Sequence, residues 1–433
     1  MRLCSPKVAV MTESIKDAAS TAAYGMMHYY HGNESGNIPG KLPDTWWEGG
    51  AMFMTLIEYW HFTGDATYND EVSEGMQWQA GDGDYMPSNW SSYLVRILVY
   101  IELQFPEVSD GYSWLSLAQG VFNTQVKRWD TSSCAGGMRW QIWTYEAGYR
   151  MKNSISNGGL FQLAARLARY TNNQTYADWA EKIWEWSAST PLLNTNTWNV
   201  ADSTDVDDNC TSQGNTQWTY NYGAYIGGAA YMYNYVSSIS FPCRNTTWLT
   251  AVNGLLNATI DGFFPTKYGG NIMSDYTCET TEVCNNNEII FKGLLSMWLA
   301  FTALLVPSTY STIIPKLQGS GVAAAETCTG HNNNSCGVVW HNSTWDGWSG
   351  LEEQMSVTSI LAANMIGLNT SGAPVTSTTG GNSTSDPTAG ESDNEGSSST
   401  TTKVTTGDVV GASIVTIVLI AVPIAMVVLL IFT

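Results

Sequence analysis

Gly159-Leu160-Phe161-Gln162-Leu163-Ala164-Ala165-Arg166-Leu167-Ala168-Arg169-Tyr170, running on into Thr171-Asn172-Asn173-Gln174-Thr175-Tyr176, sets the architecture. Leu160, Leu163, Ala164, Leu167 and Ala168 recur at helical spacing, so the stretch predicts an amphipathic helix with one apolar face. The turn that follows has an echo. Phe62-Thr63-Gly64-Asp65-Ala66-Thr67-Tyr68 repeats the pattern of Tyr170 to Tyr176, each copy leaving one amphipathic helix and opening the next. Asn245-Thr246-Thr247-Trp248 is a weaker copy that again enters a helix. Helix–turn–helix units of this kind cannot bury their faces alone and must stack side by side.

The same periodicity extends outward. Ile15, Ala19, Ala22, Met26 and Tyr29 form another stripe, and further helices are predicted over 46–62, 112–128, 177–187, 218–236, 247–262, 288–305, 310–324 and 351–366. Few segments alternate with period two, and clear hairpin signals are missing. The expected fold is all-α, built as an open solenoid or a closed toroid of paired helices. Glycine and aromatic residues cluster between helices, as in Trp46-Trp47-Glu48-Gly49-Gly50 and Gly136-Gly137-Met138-Arg139-Trp140, which favours a toroid with a functional end face. Leu94 to Leu103 departs from the pattern. It is rich in β-branched residues and strand-like in a helical chain, the mark of a functional exception or a sequence error.

Composition and the two ends bound the function. With Asp+Glu 38 against Lys+Arg 18, a net charge of -20 repels phosphate backbones and excludes nucleic acid as a partner. Val409 to Phe432 is uncharged and long enough to span a bilayer. Small residues Gly396 to Ser399, a polar spacer and that tail together read as a glycolipid-anchor signal with Ser397 as attachment site, against the alternative of a tail-anchored helix. The Ser/Thr/Gly-rich tract from Val375 cannot bury a core and reads as a disordered, glycosylated stalk. Acceptor sequons at Asn33, Asn89, Asn173, Asn209, Asn245, Asn257, Asn333, Asn342, Asn369 and Asn382 agree with secretion.

Cysteines agree as well. Cys278 with Cys284 and Cys328 with Cys336 are spaced for local disulfides. Cys134, Cys210 and Cys243 leave one unpaired unless Cys4 joins them. Residues 1–13 lack the apolar stretch of a signal peptide, so they are read as a remnant in which that peptide is missing or misassigned. The expected organisation is a barrel domain over 14–368, a stalk and spacer over 369–408, and the apolar tail over 409–433.

Gly159 to Leu167 also resembles the fungal branch of glycoside hydrolase family 76. So do Tyr24-Gly25-Met26-Met27, Trp46 to Gly50, Gly137-Met138-Arg139-Trp140-Gln141-Ile142, Gln217-Trp218-Thr219-Tyr220-Asn221-Tyr222-Gly223 and Trp345-Asp346-Gly347. The resemblance runs from about Ser14 to Leu368 and implies an (α/α)6 barrel. It implies the glycolipid-anchored mannan endo-1,6-alpha-mannosidases of wall assembly, thought to work as transglycosidases. It further implies retaining chemistry from an adjacent Asp-Asp pair in a Gly-Asn-Asp-Asp-Gln motif. That motif should follow Tyr85-Met86-Pro87, but Ser88 to Leu103 holds no such pair. Asn285 to Glu288 stands where the family prefers acidic text, and Met297 where it usually has Arg.

A retaining glycosidase needs one carboxylate as nucleophile and a second as acid/base, about 5–5.5 Å apart. The one remaining Asp-Asp dipeptide, Asp207-Asp208, is a weak fallback in what reads as a solvated acidic loop. Other residues fit a sugar cleft. Trp46, Trp47, Trp140, Trp143, Trp218, Tyr220 and Tyr222 offer flat faces, and Glu48, Asp202 and Asn221 offer bonds to hydroxyls. The five histidines show no ligand spacing, so neither a metal nor a cofactor is expected. The resulting expectation is a cell-surface enzyme, or a non-catalytic binder, acting on α-1,6-mannan, the glycan of a lipid anchor or another wall polysaccharide, and impaired without its catalytic pair.

Overall fold

A computed structural model describes residues 6–42, 46–83, 85, 105–214, 216–238, 242–331, 334–368 and 372–391, the side chains of 6–12, 46, 242–244 and 367 excepted. The helices are α1 (Pro6–Met27), α2 (Trp46–Thr63), α3 (Asn69–Gln79), α4 (Trp114–Lys127), α5 (Ser154–Thr171) and α6 (Gln174–Ser189). There follow α7 (Thr219–Ser238), α8 (Pro242–Phe263), the single turns α9 (Tyr276–Glu279) and α10 (Asn286–Ile289), then α11 (Phe291–Leu305), α12 (Tyr310–Glu326) and α13 (Leu351–Ala363). Among the described residues the one sheet is a pair of three-residue strands, β1 (Met151–Asn153) and β2 (Ser203–Asp205). They run antiparallel with Asn153 opposite Ser203. The all-α (α/α)6-type fold stands. The strand-like stretch Leu94 to Leu103 lies outside the described residues.

The opening stretch shows how sequence makes this fold. Asn153 caps α5 by accepting from the Ser156 amide at 3.1 Å, Asn172 ends the helix in the left-handed region, and Asn173 caps α6. Each such cap stabilises its helix by about 1 kcal/mol. The echo at residues 62–68 is structural too. Gly64 takes the left-handed position at φ +76, and Asp65 accepts from the Thr67 amide at 3.0 Å before α3 begins.

Helices alternate between two layers. α5, α7, α11, α13 and α2 pack in that order, each against the next, as the described part of an inner ring. α6, α8, α12, α1 and α3 lie outside them. The stretch Asn286–Leu305 is long and apolar enough to cross a membrane, but 89% of it is buried inside the protein, as an inner-ring helix must be. The apolar tail 409–433 and Ser397 lie outside the described residues.

The Ser/Thr tract, expected as a free stalk, is bonded to the helical unit as far as Glu391. Ser383 Oγ accepts from the Leu115 amide at 2.9 Å, and Gln119 Oε1 accepts from the Asp386 amide at 2.7 Å. Asn123 donates to the Pro387 and Ala389 carbonyls, and Arg169 to that of Val375. Composition rules out a core in this tract but not a polar strap laid along α4.

The disulfides are Cys278–Cys284, Cys328–Cys336 and Cys134–Cys210, so the long-range pairing left open resolves to Cys134 with Cys210. Cys4 and the side chain of Cys243 lie outside the described residues. Asn33, Asn173, Asn209, Asn257, Asn342 and Asn382 are exposed, Asn245 is half-buried, and Asn89, Asn333 and Asn369 lie outside the described residues.

Candidate functional site

Inner helices all begin at one end of the ring, and contacts between their first turns build a shared floor. Trp47 in α2 donates its indole N–H to Asn287 Oδ1 at 2.6 Å, joining α2 to α10 just before α11. Tyr220 in α7 stacks face to face on Phe291 in α11, with centroids 3.7 Å apart. Asn221 donates to Asp202 Oδ1 at 2.9 Å, while the Asp202 carbonyl accepts from the Ser154 amide that opens α5. Ser356 in α13 donates to the Ile289 carbonyl at 2.8 Å.

Carboxylates gather on this floor. Asp202 is half-buried and held above the usual carboxylate range, first by burial and then by the charge of Glu288, against the lowering bond from Asn221. The Tyr220 phenol is pushed well up by burial and by Asp202, Asp275 and Glu288 around it. Glu288 itself closes a capping box with Asn285, which is what the Asn285–Glu288 segment does locally. Met297, where the resemblance expects Arg, is fully buried.

Beneath Tyr220 lies a charged cluster. Asp275 accepts from the Thr219 amide and hydroxyl at 3.0 and 2.6 Å, and the Ser274 hydroxyl donates to Glu279. Lys292 bridges to Glu279 at 2.7 Å, donates to the Val338 carbonyl and lies 4.0 Å over the Trp340 ring. All three charged side chains are buried. Burial and the Glu279 charge push the Asp275 carboxyl up to about 7 despite its bonds from Thr219.

The first turn of α13 adds a buried pair, Glu352 and Glu353. Burial, then Glu352 and Asp346, push Glu353 up to about 7 against a bond from its own backbone amide. The pair is Glu-Glu and so falls outside the Asp-Asp motif that the sequence resemblance implies. An adjacent acidic dipeptide of either kind opening an apolar helix was the available signal.

The expected residues therefore divide. Trp47, Glu48, Asp202, Tyr220 and Asn221 come together at the inner-helix starts. Trp46 opens α2, but its side chain lies outside those described. Trp218 and Tyr222, expected to stack on sugar, are instead buried: Trp218 packs edge-on against Phe291 at 5.5 Å, and Tyr222 against Phe263. Trp140 is half-buried over Gly148, where an added Cβ would come within 2.3 Å of its ring.

The fallback pair does not face the floor. Asp207 pairs with exposed Arg150, and Asp208 turns back on Thr211 and Ser212, which lowers its carboxyl. Both follow β2 at the end away from Asp202; Asp207 is tied to the chain before β1, and the bonds of Asp208 serve the local turn. Ser88 to Leu103, apart from Phe105 beyond it, lies outside the described residues. Cys278, Cys284 and Glu288 bring ligand atoms within 4.8 Å of one another, but the two sulfurs are joined as a disulfide and offer no thiolate to a metal.

Comparison with known proteins agrees with this architecture. A family model described as glycosyl hydrolase family 76 matches residues 14–378. The chain is 39% identical over 422 residues to the mannan endo-1,6-alpha-mannosidase DCW1 of Saccharomyces cerevisiae, covering 94% of this chain and 91% of that one. It is 34% identical over 429 residues to the mannan endo-1,6-alpha-mannosidase DFG5 of Candida albicans, with 95% and 91% covered. The crystal structure of Dfg5 from Chaetomium thermophilum in complex with glucosamine matches with a TM-score of 0.81 at 37% identity, covering 87% of this chain and 96% of that one.

Proposed function

This chain belongs to glycosyl hydrolase family 76, and from that premise we propose that it engages α-1,6-linked mannan at the end face where the inner helices begin. The observation that carries the reading is the Asp202–Asn221–Tyr220 group. A carboxyl raised by burial and bonded to its amide neighbour is fixed in direction and can meet a sugar hydroxyl. Trp47, set by its bond to Asn287, supplies an apolar face beside it. The work of the protein in this reading is retaining cleavage or transfer of mannosyl chains, or of anchor glycan, in building a fungal-type cell wall. It does so at the cell surface, held there by a glycolipid added at Ser397.

Catalysis by the chain as written is proposed to be very weak. Ser88 to Leu103 carries no adjacent carboxylates, and Glu102 alone cannot both attack the anomeric carbon and protonate the leaving oxygen. The second reading, a mannan-binding wall protein without turnover, draws on the same absence. Two versions separate them: this sequence, and one with Gly-Asn-Asp-Asp-Gln restored between Leu94 and Leu103. Mannan binding by both with cleavage or transfer only by the restored form supports the proposal, whereas full turnover by the sequence as written overturns it. Release from membranes by a glycolipid-cleaving phospholipase checks the anchor; retention with the terminal peptide intact refutes it.

A further inference from the structure

We infer that Trp143 and Tyr145 form an outlying subsite for a further mannosyl unit of the chain held in the cleft, an inference that rests on the mannan reading above. Of the described aromatics that are exposed, Tyr145 is the one with a parallel ring beside it. It is 72% exposed, and its plane lies within 3° of that of Trp143 at a centroid distance of 6.3 Å. Exposed Tyr145 and half-buried Trp143 offer parallel flat faces, which the C–H faces of a pyranose cover while its hydroxyls stay solvated.

The loop does not need these rings to hold its shape. Successive turns from Trp143 to Glu146, Glu146 to Tyr149 and Gly148 to Met151 close it with backbone bonds of 3.0–3.1 Å. The Trp140 amide donates to the Met151 carbonyl, the Trp140 ring covers Gly148, and the Arg139 guanidinium lies 4.6 Å over Tyr149. Cys134–Cys210 ties the preceding chain to the loop after β2. The platform is therefore rigid and spare.

Its position joins it to the candidate site. β1 leads from this loop directly into the start of α5, and it pairs with β2, which begins beside Asp202. The paired strands span about 7 Å at an ordinary strand rise, with Asp202 at the Asn153 end and the loop at the Met151 end, so the rings stand outward of the candidate site along them. At its edge exposed Arg150 and Asp207 pair with each other, and Glu146 beside Tyr145 offers a carboxyl to hydroxyls. That suits a hydroxyl-rich glycan better than an acidic peptide.

The experiment titrates an α-1,6-mannooligosaccharide series, from the disaccharide to the hexasaccharide, against the wild-type chain, Trp143→Ala, Tyr145→Ala and Tyr145→Phe. Wild-type affinity should rise with length. Each Ala substitution should weaken the longest oligomer about three- to ten-fold and leave the disaccharide unchanged, with melting temperature retained and Tyr145→Phe near wild type. An unchanged length dependence in both Ala variants overturns this inference alone. Failure of the wild-type chain to bind any member of the series overturns the mannan reading and this inference with it.

Discussion

Replacing Lys292 with Met removes the one cation bonded to the buried carboxylates beneath Tyr220. Lys292, Glu279 and Asp275 are each no more than 3% exposed, so no water replaces the lost ammonium. Breaking a buried pair by deleting one partner costs about 3–5 kcal/mol. For a compact unit ending at Glu391, unfolding entropy near 60 °C is about 0.8 kcal/mol per degree, so the melting temperature should drop by roughly 4–6 °C.

The pH dependence distinguishes this cause from simple packing loss. Asp275 is raised in the folded state to about 7 from its ordinary 3.8, so its contribution to stability is present at low pH and fades as pH rises between those values. Without Lys292, whose charge lowers that carboxyl, Asp275 rises further. The loss should therefore be larger at pH 8 than at pH 5, measured by scanning calorimetry at a fixed scan rate. An equal loss at both pH values, or none, would refute the electrostatic account.

Gly223→Ala places a Cβ 2.3 Å from the Trp298 ring and should destabilise by about 1–3 kcal/mol through overpacking, read by chemical denaturation. A chain ended at Pro374 should be less stable than one ended at Glu391, because it loses the strap's bonds to Leu115, Gln119 and Asn123; identical urea midpoints would return the tract to a free stalk. The double change Cys134→Ser, Cys210→Ser opens a 76-residue loop and should cost about 2–4 kcal/mol, with proteolysis appearing first between residues 129 and 150. Asp202→Asn should weaken binding of α-1,6-mannooligosaccharides, because the carboxyl bonded to Asn221 is lost; unchanged affinity in a calorimetric titration would show that Asp202 does not face the ligand.

Helices were legible because burial of one face repeats every turn, and the Asn172-Asn173 and Gly64-Asp65 junctions use the residues that a left-handed stop and a cap require. The strap was not, since serine and threonine side chains announce solubility equally well whether they face water or the polar edge of α4. Asp275, Glu279 and Lys292 were invisible for a different reason: they meet only when α9 folds under the start of α11. The one available signal is that Lys292 is the single charged residue in the apolar α11, and such a residue needs a buried partner. For the aromatic candidates, sequence gave the residue type but not the direction of the ring, so buried Trp218 and half-buried Tyr220 looked alike.

The shared orientation of the inner helices has an electrical consequence. Each helix start carries roughly half a positive charge from its unpaired amides, so five of them pointing at one face create a field that repels cations. A glycosidase passing through an oxocarbenium-like state would work against that field. Glu48 in α2, Glu352 and Glu353 in α13, Glu288 in α10 and Asp202 between α5 and α7 stand where they reverse its sign. Some of these acids therefore matter without ever touching a sugar: neutralising one would leave the whole mouth less hospitable to positive charge, and the surviving carboxyls easier to ionise.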